Sequence, residues 1–421
     1  MSNGLLISAP KSGSGKTIIT LGLLRALKIR GIPILSAKSG PDYIDPGFHN
    51  FSSGSKCYNL DSWAMSKERV NNIASKAKKK LLLIEGAMGL FDGATSNSDG
   101  STAHLAKLLN LPIVLIIDAS KTGQSVAALA NGFLNYDKDV LINGIILNKV
   151  SSLSHEKLLR NSLSQFDCPV IGSVYKNKEL ELPSRHLGLI QALENKNLDQ
   201  FINNAAEIIE NSIDLDNLLK LGNSISYSKV KNRLQPPAQR ISVALDAAFS
   251  FVYPHLLDDW HSNGAEIKTF SPLSDQGPGD CDLVILPGGY PELYAEKLSN
   301  AQNFFKKIKN APNVYGECGG YMVMGKGFID EEGNRHKMLG LLNLETSFHN
   351  KQLHLGYRDI FGKAGPFSGP YAAHEFHYAS TIKENGRKLF SVSNSKGEKL
   401  TDTGLFNEKA SGSFLHVIDK R

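Results

Sequence analysis

Cysteine is scarce in this chain of 421 residues, with four scattered positions, no C-x-x-C pair and no even framework. That usage excludes a disulfide scaffold and a zinc knuckle, and it predicts a reducing compartment, the cytoplasm. Long apolar runs are also missing. Leu5-Leu6-Ile7 is too short for a secretory core, and no stretch approaches the length that crosses a bilayer, so no membrane partner is expected. Charge of one sign is lacking as well: 47 Lys and Arg stand against 41 Asp and Glu, net +6, interspersed along most of the chain. No basic stripe with interleaved aromatics occurs. The balance suits small anions at least as well as nucleic acid, and no nucleic-acid partner is expected. There is no internal repeat.

Bulk is what the chain has. At 421 residues and 41% hydrophobic content it can fill two cores, each of about 150–250 residues. The first opens with Leu5-Leu6-Ile7 as a buried strand, Ser8 to Thr17 as a Gly/Ser-rich loop, and Ile18 to Lys28 as a helix. This order is that of a phosphate-binding loop. Gly13 and Gly15 let successive backbone N–H groups curl round an anion, Lys16 reaches the terminal phosphates, and the Thr17 hydroxyl is placed to ligate Mg2+. The first position of the usual pattern is Pro10, and an additional lysine, Lys11, lies inside the loop. In that variant Lys11 contacts phosphate from its own or a neighbouring subunit, so a homodimer is plausible.

A second strand, Ile34 to Ala37, leads into a loop from Lys38 to His49 that carries Asp42, Tyr43, Asp45 and His49. Open α/β sheets bind ligands at the carboxyl ends of their strands, so these four are expected to meet substrate or magnesium. Leu81 to Ile84 reads as a core strand ending at Glu85, the candidate for magnesium or for water held on it; Gly86 to Gly93 is a loop able to close over phosphates. Further strands end at Asp118 and at Asn148, a residue placed either to read an adenine edge or to cap its strand. Arg185 is either a carboxylate clamp for substrate or a surface ion pair. Helical spacing runs from Leu198 to Leu221, and the polar stretch 222–240, with Pro236-Pro237, reads as a linker.

The second unit has strands at Ile241 to Leu245, Glu266 to Phe270 and Leu283 to Leu286, with a helix expected from Phe249 to Trp260. Its centre is Gly316-Glu317-Cys318-Gly319-Gly320, a nucleophile elbow. The flanking glycines permit the sharp strand-to-helix turn, and the helix that starts at Gly319 is expected to favour thiolate at Cys318. Cys57, Cys168 and Cys281 read as small buried apolar residues. The N–H groups of Gly289 and Gly319 are the candidate oxyanion hole, and His416 the candidate base. His374 and His377 are expected on opposite sides of a strand, one meeting a ligand and the other packing.

Taken together, the Pro10 to Thr17 loop, Gly40-Pro41-Asp42-Tyr43-Ile44-Asp45-Pro46-Gly47-Phe48-His49, Glu85-Gly86, Arg185 to Leu189, Leu286 to Glu292, Gly316 to Tyr321 and His374-Glu375-Phe376-His377-Tyr378 resemble the cobyrinate or hydrogenobyrinate a,c-diamide synthases over the whole chain. The fold implied is α/β with two doubly wound domains: residues 1–221, a phosphate-loop sheet like dethiobiotin synthetase, and 241–421, a class I glutamine amidotransferase-like sheet. The resemblance implies Cys318 as glutaminase nucleophile and His416 as its base. Ordinary class I members add an acid two residues after the histidine, but Ile418 stands there, so a Cys–His dyad is implied and His416 must be oriented from elsewhere. The implied substrates are ATP, glutamine and a corrinoid polycarboxylate, whose a and c acetates are amidated through acyl phosphates. The same plan would serve another tetrapyrrole, such as nickel sirohydrochlorin. Outside that class the alternative is a switch ATPase with a binding-only second half, which would need neither Cys318 nor His416.

Overall fold

A computed structural model describes residues 3–95, 98–180, 197–226, 234–349 and 351–421, and the backbone alone of 184–185 and 188–189. It divides into two compact units, Met1–Asn232 and Arg233–Arg421.

In chain order the first unit contains β1 (Asn3–Ser8), α1 (Lys16–Ile29), β2 (Ile34–Ser39), α2 (Asp45–Ser53), β3 (Cys57–Leu60), α3 (Lys67–Ala74), β4 (Leu81–Glu85), α4 (Thr102–Leu109), β5 (Ile113–Asp118), α5 (Val126–Tyr136), β6 (Ile142–Val150), α6 (Leu153–Leu163) and β7 (Val170–Tyr175). Short strands β8 (Ser184–Arg185) and β9 (Gly188–Leu189), helices α7 (Leu198–Ser212) and α8 (Leu215–Leu221) and strand β10 (Asn223–Ser224) follow. The sheet runs β3-β2-β4-β1-β5-β6-β7 and is parallel throughout, with β10 added antiparallel to β1. Both faces are covered, which is why its central strands carry unbroken apolar runs, Leu81 to Ile84 in β4 and Ile113 to Ile117 in β5. Leu5, Ile7, Ile116 and Ile146 pack with Leu23 of α1 and Ile209 of α7. The chain winds away from β1 in both directions, so the crevice at its carboxyl end is the switch point where such sheets take ligands.

Local chemistry moves several boundaries. The stretch expected as one loop from Lys38 to His49 is a strand end plus a helix. Asp42 Oδ1 accepts the N–H groups of Ile44 and Asp45 at 2.8 and 3.1 Å, and Pro46 lies in the first turn of α2. The helical run 198–221 breaks at Ile213, which bridges Gly172, and Asp214 then caps α8 through the N–H of Asn217. The expected linker begins inside the first sheet, because Asn223 and Ser224 pair with Gly4 and Asn3.

The second unit comprises β11 (Arg240–Ala244), α9 (Pro254–Ser262), β12 (Glu266–Phe270), β13 (Leu283–Leu286), α10 (Ala295–Ser299), α11 (Gln302–Asn310), β14 (Val314–Glu317) and α12 (Gly319–Met324). After these come β15 (Gly327–Ile329), β16 (Arg335–Lys337), β17 (Leu344–Ser347), β18 (His354–Gly362), β19 (Gly369–His377), β20 (Ser380–Glu384), β21 (Arg387–Asn394), β22 (Thr403–Phe406), β23 (Ala410–Ser413) and β24 (Leu415–Lys420). The main sheet, β12-β11-β13-β14-β23-β22-β21-β18-β19-β24, is parallel through β23 and antiparallel thereafter. β24 ends the path, yet it starts two residues after β23 in the chain. The antiparallel half therefore curls back and brings β24 beside β14, where Val417 N–H donates to Glu317 at 3.2 Å. The helix expected from Phe249 starts only at Pro254. Asp246–Phe249 and Phe251–Gly288 form isolated bridges instead, and the residue before a proline is disfavoured in helix.

Candidate active sites

The first site lies at the carboxyl ends of β1, β2 and β4. Gly15 has φ +90° and precedes α1 as its cap, so the loop turns sharply into the helix. Ser14 Oγ donates to Lys11 O at 2.9 Å, and Asn148 Nδ2 donates to Ser14 O at 2.9 Å. Asn148 thus braces the loop from β6, beside Lys149, which donates to Gly13 O at 3.2 Å and pairs with Asp118 at 2.7 Å. The Lys16 ammonium is buried and donates to Met88 O at 2.5 Å, while Leu90 N–H donates to Ala9 O at 2.9 Å. The 86–93 segment, expected to close over phosphates, is bonded to the phosphate loop through these two contacts. Burial pulls the Lys16 pKa down, against the attraction of Glu85.

Behind the loop stands a cluster that strand periodicity did not single out. Lys38, the fifth residue of β2, is buried and donates to Asp45 Oδ2 at 2.5 Å and Glu85 Oε1 at 2.8 Å, with Asp42 4.0 Å away. Glu85 Oε1 also accepts from Thr17 Oγ1 at 2.7 Å, and Oε2 lies 2.7 Å from His49 Nε2. Three carboxylates share one ammonium. Burial works against the Glu85 charge, yet Lys38 and His49 hold its pKa well below the usual range. Burial and neighbouring Asp42 push Asp45 up to about 7 in spite of Lys38. Burial opposes the Lys38 and His49 charges too, but Asp45 and Glu85 hold Lys38 protonated, and Cys57 with Glu85 lifts His49 to about 10. The sequence signal for Lys38 was a cation directly after the short buried run Ile34 to Ala37. The loop and cluster border a cavity of about 650 Å³, lined also by Tyr175 at the end of β7 and by Lys176 and Asn177 after it. Tyr43 is half-buried between Asp42 and α2. The side chain of Arg185 lies outside the described residues.

As a magnesium site, the donor set fits. Thr17 Oγ1 stands 2.7 Å from Glu85 Oε1 and 3.4 Å from Asp45 Oδ2, all hard oxygens at the mouth of the phosphate loop.

The second site is the turn from β14 to α12. Cys318 has φ 46° and ψ −106°, a conformation that lifts the side chain out of the strand. Glycine is obligatory beside it: a Cβ at Gly320 would lie 1.8 Å from Leu286 O. The Cys318 N–H donates to Ser413 O at 2.8 Å and its thiol to Phe376 O of β19 at 3.8 Å. A Cβ placed on Gly319 would sit 3.2 Å from Gly289 N, so the two segments expected to form the oxyanion hole are neighbours. The His416 imidazole is wholly buried and packs against Gly288, where a Cβ would be 2.2 Å from Cε1. Glu317 Oε2 lies 3.7 Å from His416 Nδ1.

Burial opposes the thiolate expected at Cys318. Burial pushes the Cys318 pKa well above the ordinary thiol value, and Glu292 adds to it, opposed by the N–H of Gly319. The first N–H of helix α12, that of Gly319, acts against the burial but does not outweigh it. His416 is held neutral by burial, with His374 and His377 adding like-charge repulsion. Both of those histidines are buried; His377 stacks on Phe414 at 4.0 Å and hydrogen-bonds Ala379 O and Glu375, while His374 pairs with His416 across β19 and β24.

Comparison with known proteins accords with this plan. Residues 5–190 match the CobQ/CobB/MinD/ParA nucleotide binding domain and 240–421 the CobB/CobQ-like glutamine amidotransferase domain. A protein of Brucella abortus biovar 1 (strain 9-941) named hydrogenobyrinate a,c-diamide synthase is 49% identical, covering 99% of this chain and 98% of its own. The chain belongs to the hydrogenobyrinate a,c-diamide synthase family. Members from Rhizobium meliloti (strain 1021) and Agrobacterium fabrum (strain C58 / ATCC 33970) are 46% and 43% identical, each over 99% of this chain. Family membership makes it a carbon-nitrogen ligase that takes nitrogen from glutamine and uses a nucleotide, and its fold is the expected α/β pair. No helix among the described residues is long and apolar enough to cross a membrane.

Proposed function

We propose that the chain amidates the a and c acetate carboxylates of hydrogenobyrinic acid in cobalamin biosynthesis, with ATP and glutamine, in the cytoplasm. The observation that carries this reading is the pairing, in one chain, of an intact phosphate loop with a nucleophile elbow, at 49% identity to a full-length relative of that name. A carboxylate does not exchange its oxygen for ammonia at neutral pH, because oxide would have to leave. ATP therefore first phosphorylates the acetate, and phosphate departs instead. Lys16 and the loop N–H groups hold the phosphates. Lys11, exposed on the loop, adds its charge in its own site or in that of a second copy of the chain. Thr17, Glu85 and Asp45 are the residues that would hold Mg2+, which when bound supplies charge neutralisation on the phosphates. Asp42, Tyr43 and Arg185 are assigned to the corrinoid and Asn148 to the nucleotide; His49, expected at the substrate, is wholly buried against Glu85 and orients that carboxylate instead.

In the second unit His416 takes the Cys318 proton as sulfur attacks the side-chain amide carbon of glutamine. The Gly289 and Gly319 N–H groups receive the developing oxyanion, and His416 returns the proton to the departing ammonia. Water then releases glutamate. The ammonia attacks the acyl phosphate, and each amidation consumes one ATP and one glutamine. The test is mass spectrometry of hydrogenobyrinic acid, cobyrinic acid and nickel sirohydrochlorin offered separately, with Cys318→Ala alongside. Two successive amidations of hydrogenobyrinic acid, with the variant inactive on glutamine and active on ammonium chloride, support the reading. ATP hydrolysis with no amidation of any macrocycle sinks it.

A further inference from the structure

Ile418, two residues beyond the base, is fully buried and apolar, so His416 lacks an acid on its own strand at that position. A carboxylate approaches from the strand of the nucleophile instead. Glu317, the last residue of β14, is 8% exposed. Its Oε1 accepts Val417 N–H at 3.2 Å and the Tyr315 hydroxyl at 3.3 Å, which fixes the plane of the carboxylate and turns Oε2 towards His416 Nδ1 at 3.7 Å. Tyr315 is itself wholly buried and meets Phe367 edge-on at 4.9 Å. The carboxylate also borders a small cavity lined by Val243, Phe251, Leu256 and Trp260, surroundings that give it no structural advantage over an apolar residue.

We infer that Glu317 is the positioning residue of the glutaminase, holding the His416 proton on Nδ1 so that the Nε2 lone pair is the base. The inference rests on the Cys318–His416 assignment proposed above. A carboxylate acceptor at Nδ1 selects the one imidazole tautomer able to take a thiol proton. Closing 3.7 Å to hydrogen-bond length needs a shift of about 0.8 Å. In the acylation step the Cys318 proton moves to Nε2 as the S–C bond forms and the carbonyl electron pair becomes the oxyanion. Glu317 takes no proton and pairs with the imidazolium. The groups facing Glu317 are the Tyr315 hydroxyl, Val417 N–H, His416 and the adjacent Cys318 thiol, with His374 and His377 beyond His416. Burial lifts the Glu317 pKa to about 8 against the Val417 and Tyr315 bonds, so its ionised form gathers through that pH.

The experiment compares Glu317→Gln, Glu317→Asp and Cys318→Ala in the full chain, with glutamine or ammonium chloride as donor, from about pH 6 to 9.5. In Glu317→Gln the amide oxygen keeps the Tyr315 and Val417 bonds, while the NH2 faces Nδ1 and drives the proton to Nε2. Expected is a fall of about 10²–10⁴-fold in glutamine kcat, by analogy with the wrong-tautomer variant of a serine protease triad. KM for glutamine should hold within about twofold, the rise in rate through about pH 8 should vanish, and ammonium-driven amidation should stay intact. Glu317→Asp, which keeps the charge, should recover at least about tenfold. Wild-type kcat and pH profile in Glu317→Gln, equal damage in both variants, or parallel loss with both donors overturns the inference. Glutamine turnover by Cys318→Ala would instead overturn the assignment on which it rests.

Discussion

Gly288→Ala tests the placement of the base without substituting either reacting residue. The added methyl would sit 2.2 Å from His416 Cε1, 3.0 Å from Nε2 and 3.2 Å from Nδ1. Carbon atoms pack at about 3.5 Å or more, so the ring must retreat by roughly 1.3 Å. Gly288 is not among the residues of positive φ, and alanine therefore adds no backbone strain. His416 is wholly buried, with Phe251 6.3 Å away between ring centres, so retreat also overpacks the surroundings. Overpacking of this kind costs about 1–3 kcal/mol, or several degrees of melting temperature in a unit of this size. A catalytic group displaced by about 1 Å loses about 10²-fold in rate. The assay is amide formation with glutamine against amide formation with ammonium chloride. The expected result is a glutamine kcat about 100-fold lower with the ammonium rate unchanged. Full glutamine turnover in a folded variant would refute the argument that His416, where this structure places it, is the base.

Lys38→Met should leave Asp42, Asp45 and Glu85 without their shared ammonium, costing about 3–5 kcal/mol; a melting temperature unchanged by calorimetry would show that another cation balances the cluster. Glu317→Gln should melt higher than the native protein at about pH 9. The folded pKa of about 8 lies above the ordinary 4.5, so stability is full below about pH 4.5 and is lost as pH rises through 8, by on the order of 5 kcal/mol at most. The substituted amide cannot ionise, so the gap should close by about pH 5, and a gap independent of pH would contradict the burial argument. Lys16→Ala should depress amidation equally with glutamine and with ammonium, because it acts on ATP; an effect confined to glutamine would place Lys16 in the wrong reaction.

Glycine and charge patterns carried most of what the sequence disclosed. The phosphate loop was legible because Gly15, at φ +90°, is the kind of residue such a turn requires, and the elbow because Gly319 and Gly320 lie against neighbouring backbone. The parallel core was legible from runs such as Leu81 to Ile84 and Ile113 to Ile117, apolar up to a terminal acid. What escaped were arrangements set by tertiary packing. Lys38 meets Asp45 seven residues on, but also Glu85 from a strand 47 residues away, and no local spacing encodes that triangle. Likewise Phe376 receives the Cys318 thiol through its carbonyl, which any residue would offer. The antiparallel return of β24 escaped because register across such strands depends on the whole sheet. The burial that opposes thiolate at Cys318 escaped too, because it is set by packing around the elbow and by Glu292, not by the local glycine pattern.

The segment from Pro287 to Gly289 ties two catalytic functions to one piece of backbone. Its first carbonyl receives Gly320 N–H at 3.0 Å, its second receives Phe251 N–H at 3.0 Å, and it touches the imidazole on one side and Gly319 on the other. With the roles proposed for these groups, proton transfer and oxyanion stabilisation share a single mechanical support. Shifting that support detunes both together, so selection acting here cannot trade one against the other. Glutaminase activity should be lost or restored as a unit, and variants with half of the machinery intact should be rare among substitutions in these three residues.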